Sequence, residues 1–168
     1  MIQIERVSDD IYVFTSELYA QVTAGVINTP EGAVLIDTLP YPSETLELKK
    51  FVEGKLSSRV RYVINTHYHA DHFYGNWMFP EAQIISHSLC RNLIDTLGRQ
   101  GLIAAQAENS DLVDVRITLP AIVFDSGELT IHLGGKTLVF EHCPGHSVDV
   151  ITALVEEDGV LFASDTVM

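Results

Sequence analysis

The feature that most constrains this chain is a run of four metal-competent side chains within six residues, His67–His72. The run follows Val60–Asn65, an apolar segment typical of a β-strand. A loop at a strand end can bring imidazoles and a carboxylate into one small volume, and zinc, iron and manganese accept such ligands. Without a metal, this crowding would leave polar groups without partners. The run therefore predicts a metal site.

Two later segments add candidate ligands of the same kind. His146 stands in a Pro-Gly turn, and Asp165 follows the apolar segment Val160–Ala163. Each is weak evidence alone, because histidines in turns are ordinarily polar surface and aspartates after strands are ordinary turn residues. In combination, the order H-x-H-x-D-H, then G-H-S, then S-D-T is highly specific.

The remaining pattern predicts a mixed α+β fold. A helix is expected over Pro42–Leu56 with Ser43 as its N-cap, and a second over Ser88–Leu97. Residues Gly98–Asp114 are expected to be helical with a break at Gly101. Since the sequence contains no repeat or linker, residues 1–168 are expected to form a single domain. Strands are expected at Ile11–Thr15, Gln21–Asn28, Ala33–Asp37, Val60–Asn65, Ile84–Ser86, Ala121–Phe124, Leu129–Leu133, Thr137–Glu141, Asp149–Val155 and Val160–Ala163.

Charge and hydropathy narrow the classes of partner. Ten Lys and Arg against 23 Asp and Glu give a net charge of −13, which repels phosphate backbones, so a nucleic-acid partner is not expected. The chain shows neither a secretory signal nor an apolar run of the roughly 18 residues that span a bilayer, so no membrane partner is expected. Cys90 and Cys143 lie outside any C-x-x-C pattern, which fits a reducing, cytoplasmic setting.

The three motifs together resemble the metallo-β-lactamase superfamily, and most closely its H-x-H-x-D-H hydrolase branch of glyoxalase-II-like enzymes, lactonases and subclass B3 lactamases. Ala24–Asn28 and Ala33–Asp37 look like the family's first hairpin. The resemblance runs from about Ile11 to Asp165. It implies a metallo-β-lactamase-type αββα sandwich with the metal site at one edge of the two sheets.

The resemblance also assigns roles to the site residues. Asp37, at a strand end, would orient a ligand of the histidine loop. An aspartate at position 165, instead of cysteine or serine, argues against a typical β-lactamase and favours dinuclear hydrolases with a bridging carboxylate. Apart from the resemblance, Asp71 is the candidate catalytic group that orients the attacking water and moves its proton, provided that metal binding does not occupy its carboxylate. The implied ligands are His67, His69 and His146 for the first metal and Asp71 and His72 for the second, with Asp165 bridging both.

One departure from the family concerns the second metal. The family supplies a further histidine from beyond the aspartate, whereas this sequence ends at Met168. His87, His132 and His142 do not occupy that position and are expected to be structural or surface groups, with His142 the strongest candidate for an exception. The resemblance therefore implies that C-terminal strands are missing. Either the chain is truncated, or a homo-oligomer or complementing chain covers the exposed sheet edge, or the second site is weak.

The expected activity is hydrolysis of an ester, thioester, lactone or β-lactam-type bond in a small-molecule substrate. Zn²⁺ is the expected cofactor, as one or two ions, with iron or manganese as alternatives, because a bound metal lowers the pKa of water from 15.7 to about 7. Two other interpretations stay open: a mononuclear iron oxygenase similar to persulfide dioxygenases, and a truncated metal-binding remnant without turnover. Aromatic residues near the histidines, such as Tyr68, Phe73 and Trp77, are expected either to line the substrate site or to lie in the core.

Overall fold

Two β-sheets form the centre of the computed structural model, which describes residues 2–167. The strands are β1 (Gln3–Arg6), β2 (Ile11–Thr15), β3 (Thr23–Ile27), β4 (Ala33–Ile36), β5 (Val60–Asn65), β6 (Gln83–His87), β7 (Ile122–Phe124), β8 (Glu128–Leu133), β9 (Lys136–His142), β10 (Ile151–Val155) and β11 (Val160–Phe162). The helices are α1 (Pro42–Lys50), α2 (Ala70–Phe73), α3 (Ser88–Leu93) and α4 (Arg99–Glu108). Short π-helical turns extend α1 over Phe51–Lys55 and join α3 to α4 over Ile94–Gly98, and 3₁₀ turns lie at Asn76–Met78, Ser110–Leu112 and Ser164–Thr166.

The larger sheet has seven strands in the order β1 to β7, and the smaller has four in the order β11-β10-β9-β8. Strands β1 to β4 are antiparallel, whereas β4, β5, β6 and β7 run parallel to one another. Parallel neighbours need crossover connections, which the helices supply. The carboxyl ends of these parallel strands therefore meet at one edge of the sheet, where binding sites of such sheets usually form.

The main core lies between the two sheets. Alternate residues of β9 point into it, since Leu138 and Phe140 are fully buried while Val139 between them is half-buried. The larger sheet contributes Ile64 and Ile85 from β5 and β6. The packing in this core fixes the position of the loops of one sheet relative to the loops of the other.

A second core lies between the larger sheet and α1, where Leu48 and Val52 belong to the same buried cluster as Leu35 and Val63. Within residues 2–167, the buried cluster that contains the smaller sheet holds strand residues alone. The described chain thus forms one helical layer and both sheets of the expected αββα sandwich, and the α+β class is confirmed. The second helical layer is not formed by these residues.

Two local predictions were wrong. Tyr41, not Ser43, is the N-cap of α1, and its side chain makes no capping hydrogen bond. Pro42 begins the helix because its missing N–H has no partner to lose at that position. Helix α4 runs through Gly101 without a break, since an exposed glycine weakens a helix without ending it. Strand β1 was not predicted, because all its side chains are exposed and it pairs with β2 through its backbone.

Strands β8 and β11 form the edges of the smaller sheet, and the expectation that another chain covers an edge stays a prediction. Among residues 2–167, no helix combines the length and apolar character needed to cross a membrane. Cys90 and Cys143 are unpaired, and the cytoplasmic setting likewise stays a prediction.

Candidate metal centre

The histidine loop leaves the carboxyl end of β5 and is held there by a buried carboxylate. Asp37 follows β4, with a φ of 61° that aspartate tolerates better than most residues. Its Oδ1 accepts the backbone N–H of Thr66 at 2.7 Å, and its Oδ2 accepts the Thr66 hydroxyl at 2.6 Å. These contacts fix the backbone immediately before His67.

Helix α2 turns the second half of the motif back toward the first half. His69 is its N-cap residue, and the backbone N–H of His72 donates to the His69 carbonyl at 3.0 Å. The carbonyl of His72 in turn accepts the backbone N–H of Thr38 at 2.9 Å. The short helix therefore presents Asp71 and His72 to the same space as His67 and His69.

A pair of buried asparagines braces this loop and was not singled out in the sequence. Asn65 donates to the side chain of Asn76 at 3.0 Å, and Asn76 donates back at 2.8 Å. Gly75 precedes Asn76, and a Cβ there would lie 2.7 Å from the side chains of Thr38 and Thr45. In the sequence, the feature that could have indicated this pair was Asn65, a polar residue at the carboxyl end of the largely apolar strand β5.

The other two ligand candidates come from the smaller sheet. His146 lies in the loop between β9 and β10, which is closed by a 2.9 Å hydrogen bond from the N–H of Cys143 to the carbonyl of Val150. Asp165 lies in the 3₁₀ turn after β11. The hydroxyl of Ser164 in that turn donates to the Thr66 hydroxyl at 2.7 Å. This bond ties the Asp165 turn to the histidine loop.

The packing of the two sheets brings four of the predicted ligands together. One ligand atom from each of His67, His69, His146 and Asp165 lies within 4.8 Å of every other. His69 Nδ1 is 3.0 Å from both His67 Nε2 and His146 Nε2. Asp165 Oδ2 is 3.8 Å from His67 Nε2 and 3.5 Å from His146 Nε2.

These spacings fit a tetrahedral ion. Ligand atoms about 2.05 Å from a tetrahedral zinc lie about 3.3 Å from one another, which falls within the 3.0 to 3.8 Å spanned by the four distances above. Burial and the neighbouring His72 and His69 lower the pKa of His67 to about 3, so its imidazole is neutral and its lone pair is available. Burial and His146 also lower the pKa of His69. A cluster of three imidazoles and one carboxylate matches the ligand chemistry of zinc, iron and manganese.

Asp71 and His72 stand beside this cluster as a second group of candidate ligands. The Nε2 of His72 is buried and has no hydrogen-bond partner within residues 2–167. It lies 3.6 Å from Asp71 Oδ2 and 3.5 Å from Asp165 Oδ2. Asp165 Oδ2 is therefore adjacent to both groups, which is the position that a bridging carboxylate requires.

In this second group, the protonated form of His72 and the carboxylates beside it stabilise one another. Burial opposes protonation of His72, but Asp37 and Asp165 outweigh it and raise the pKa of His72 to about 10. The neighbouring His72 is the largest influence that lowers the pKa of Asp165, to about 2. A cation bound between Asp71, His72 and Asp165 would therefore compete with a proton on His72.

The other histidines and aromatic residues lie outside the cluster. His132 is exposed on β8, and His87 and His142 stack on each other at the edge of the two sheets. Phe73 is buried in a cluster with the residues of α3 and α4, so it belongs to the core. The Tyr68 ring lies 4.6 Å from the His69 ring and is half-exposed beside the metal centre.

Comparison with known proteins supplies independent evidence on the family. The family model described as the metallo-beta-lactamase superfamily matches residues 19–168. The chain is 36% identical over 92 residues to the metallo-beta-lactamase type 2 of Bacillus cereus, an alignment that covers 52% of this chain and 36% of that protein. It is 25% identical over 144 residues to the lactamase-like protein aptB of Emericella nidulans, covering 85% of this chain and 39% of that protein. The chain thus spans well under half the length of these curated relatives.

Solved structures show the same fold. A metallo-beta-lactamase from Pontibacter korlensis superposes with a TM-score of 0.74 at 23% identity, covering 97% of this chain and 71% of that one. BJP-1, a subclass B3 metallo-beta-lactamase of Bradyrhizobium japonicum, superposes with a TM-score of 0.65 at 24% identity, covering 90% of this chain and 56% of that one.

Proposed function

The chain belongs to the metallo-beta-lactamase superfamily, and on that basis we propose that it is a zinc-dependent hydrolase that uses water to cleave an ester, thioester, lactone or β-lactam-type bond. The observation that carries the proposal is the convergence of His67, His69, His146 and Asp165 within 4.8 Å. Three imidazoles and one carboxylate from both sheets form this set, and crowding them would be costly without a cation.

The side chains divide between two metal positions. His67 through Nε2, His69 through Nδ1 and His146 through Nε2 would hold one ion. Asp71 and His72 would hold another, and Asp165 lies between the two groups. When bound, zinc supplies a water of lowered pKa and a Lewis acid that stabilises negative charge on the substrate oxygen.

The remaining work falls to residues of this chain. The Asp71 side chain is 21% exposed, so its carboxylate reaches both the solvent and the metal centre. It orients the attacking water and accepts its proton, which the leaving group then takes up. Asp37 fixes the ring of His72, and the hydroxyls of Thr66 and Ser164 lie beside Nδ1 of His67. Both rings therefore keep their orientation toward the metal centre during the reaction.

The proposal is tested on the purified chain loaded with Zn²⁺, using a panel of ester, thioester, lactone and β-lactam substrates. Turnover of at least one class is expected, and Asp71→Asn should lower kcat by about 100-fold or more, in the range for loss of a general base. Asp114→Asn, an exposed aspartate on the loop after α4, is the matched control.

Two results would contradict the proposal. If the chain as purified contains one equivalent of iron and consumes oxygen, the oxygenase interpretation would be favoured instead. Metal binding without turnover on any substrate class would favour a metal-binding remnant.

A further inference from the structure

Two histidines outside the ligand set stack on each other where the two sheets meet, and one of them begins the loop that carries His146. The rings of His87 and His142 stack with centroids 4.0 Å apart and planes 17° from parallel. His87 ends β6 of the larger sheet, and His142 ends β9 of the smaller sheet. The stack therefore joins the two sheets at the position where the loop that carries His146 begins.

His87 is held rigidly. It is 2% exposed, its Nδ1 accepts the backbone N–H of Leu89 at 3.2 Å, and its Nε2 faces the carbonyl of Asp125 at 3.1 Å. A neutral imidazole with its hydrogen on Nε2 satisfies both partners. Burial and the neighbouring His142 lower the pKa of His87, which favours that neutral form. The ring cannot turn without losing both hydrogen bonds, so it offers His142 a fixed surface.

His142 reaches across the metal-binding loop. Its Nε2 lies 2.8 Å from the carbonyl of Val148, and since a carbonyl can only accept, Nε2 carries the hydrogen. Val148 is 60% exposed, so burial does little to hold this part of the loop. The bond joins the start of the loop to a residue just after His146, and it encloses the Pro-Gly turn.

We propose that His142, fixed by its stack on His87, is a positioning residue that sets the placement of His146 in the metal centre. His146 needs such support, because its side chain is 24% exposed and lies on a loop, whereas His67 is fully buried at a strand end. A metal ligand held by a loop depends on outer contacts for its direction, and loss of such contacts typically weakens metal binding 10- to 100-fold. The inference depends on the proposed function only in that His146 binds the metal.

The test measures metal affinity in the full chain. Zn²⁺ affinity is determined by competition with a chromophoric chelator, and Co²⁺ is used as a spectroscopic probe of the ligand geometry. His142→Ala should weaken Zn²⁺ binding about 10-fold or more and change the Co²⁺ absorption spectrum. His132→Ala is the matched control, because His132 is an exposed histidine of the same sheet whose Nδ1 lies 3.3 Å from the Thr137 hydroxyl, away from the ligand cluster. Its affinity should equal that of the wild type.

Further variants separate positioning from a general loss of folding. His142→Gln keeps an N–H donor for the Val148 carbonyl and should recover part of the affinity. His87→Asn keeps a good N-cap for α3 but removes the stacked ring, so it should weaken Zn²⁺ binding as well. The double variant His87→Asn/His142→Ala should lose less than the sum of the two single losses, because both act through one contact. Thermal midpoints of the metal-free variants report folding separately.

The inference is overturned if His142→Ala binds Zn²⁺ within twofold of the wild type with an unchanged Co²⁺ spectrum. It is also overturned if the affinity falls only as far as the loss of folded protein accounts for. These results are independent of turnover. A wild-type chain that hydrolyses no substrate, but whose metal affinity depends on His142, would disprove the hydrolase proposal and leave the positioning role in place.

Discussion

The Nδ1 of His72 lies 2.8 Å from the Oδ2 of Asp37, and this contact decides which nitrogen of His72 faces the metal centre. A carboxylate can only accept, so Nδ1 carries a hydrogen and Nε2 is directed toward Asp71 and Asp165. Because Asp37 is 3% exposed, little water competes for this contact.

Asp37→Asn should therefore weaken metal binding at the second position, which includes His72, and leave binding at the first position unchanged. Asparagine tolerates the positive φ at this position, but if its amide oxygen keeps the Thr66 N–H, its amide nitrogen faces His72 and cannot accept. His72 would then carry its hydrogen on Nε2, which disables that nitrogen as a ligand. We expect the affinity for a second zinc to fall about 10- to 100-fold, measured by titration calorimetry. Asp114→Asn should leave both affinities unchanged, and an unaltered second affinity in Asp37→Asn would rule out this role for Asp37.

Removal of a ligand imidazole should abolish metal-dependent stabilisation. In the wild type, zinc at about 100 times its dissociation constant should add about 2.7 kcal/mol to the free energy of unfolding. His69→Ala should lose that increment together with activity, because three nitrogens no longer surround the ion. The measurement is the thermal midpoint with and without Zn²⁺, with His132→Ala as the control. A full zinc shift in His69→Ala would refute its assignment as a ligand.

The contact between Gly25 and Phe162 should couple core packing to the metal centre. A Cβ at position 25 would lie 2.3 Å from the Phe162 ring, so Gly25→Ala forces that ring to move. We expect a loss of about 1–3 kcal/mol in the free energy of unfolding, measured by urea denaturation. Since β11 leads directly into the Asp165 turn, zinc affinity should fall as well. Phe162→Leu in the same chain should restore part of both losses; failure to do so would disprove the steric explanation.

Lys136 of β9 pairs with Asp158 in the turn before β11 and with Asp10 in the turn before β2, and these ion pairs should make stability depend on pH. Lys136 Nζ lies 2.6 Å from Asp158 and 3.3 Å from Asp10, and both Lys136 and Asp158 are largely buried. Lys136→Met should lower the free energy of unfolding by roughly 1–2 kcal/mol at neutral pH, in the range for hydrogen bonds to charged groups. Arg99→Met removes an exposed pair with Asp95 and should cost less than about 0.5 kcal/mol.

The sign of the pH effect follows from the two partners. The hydrogen bond from Lys136 lowers the pKa of Asp158 below 3.8, so this stabilisation is present above pH 3.8 and is lost as the pH falls through the folded pKa. The pKa of Lys136 is raised above 10.5 by Asp158, so the stabilisation is present below pH 10.5 and is lost as the pH rises through the folded pKa. The difference between wild type and Lys136→Met should therefore be constant near neutrality and shrink toward both extremes. A difference that grows in acid would contradict the pairing.

Local information in the sequence was enough to predict the ligand types and the class of fold. The run His67–His72 contains its own spacing, and a strand before it places the run on a loop at a sheet edge. The alternation in β9 and the apolar runs of β5 and β6 likewise appear in the sequence, because one face or both faces of each strand must be buried. Strand β1 lacked such a signal, since its side chains are exposed.

The contacts between distant segments were decided by tertiary structure. Pairing of Asn65 with Asn76, and stacking of His87 on His142, depend on how a crossover loop folds back and on how the two sheets pack. The distances from Asp165 to His67 and His72 depend on the same sheet packing. Periodicity reports which face of an element is buried, but it does not report which residue of another element lies opposite. By itself, the sequence therefore determined which residues are able to bind a metal, and only the packing of the two sheets decided how they meet and which neighbours hold them in place.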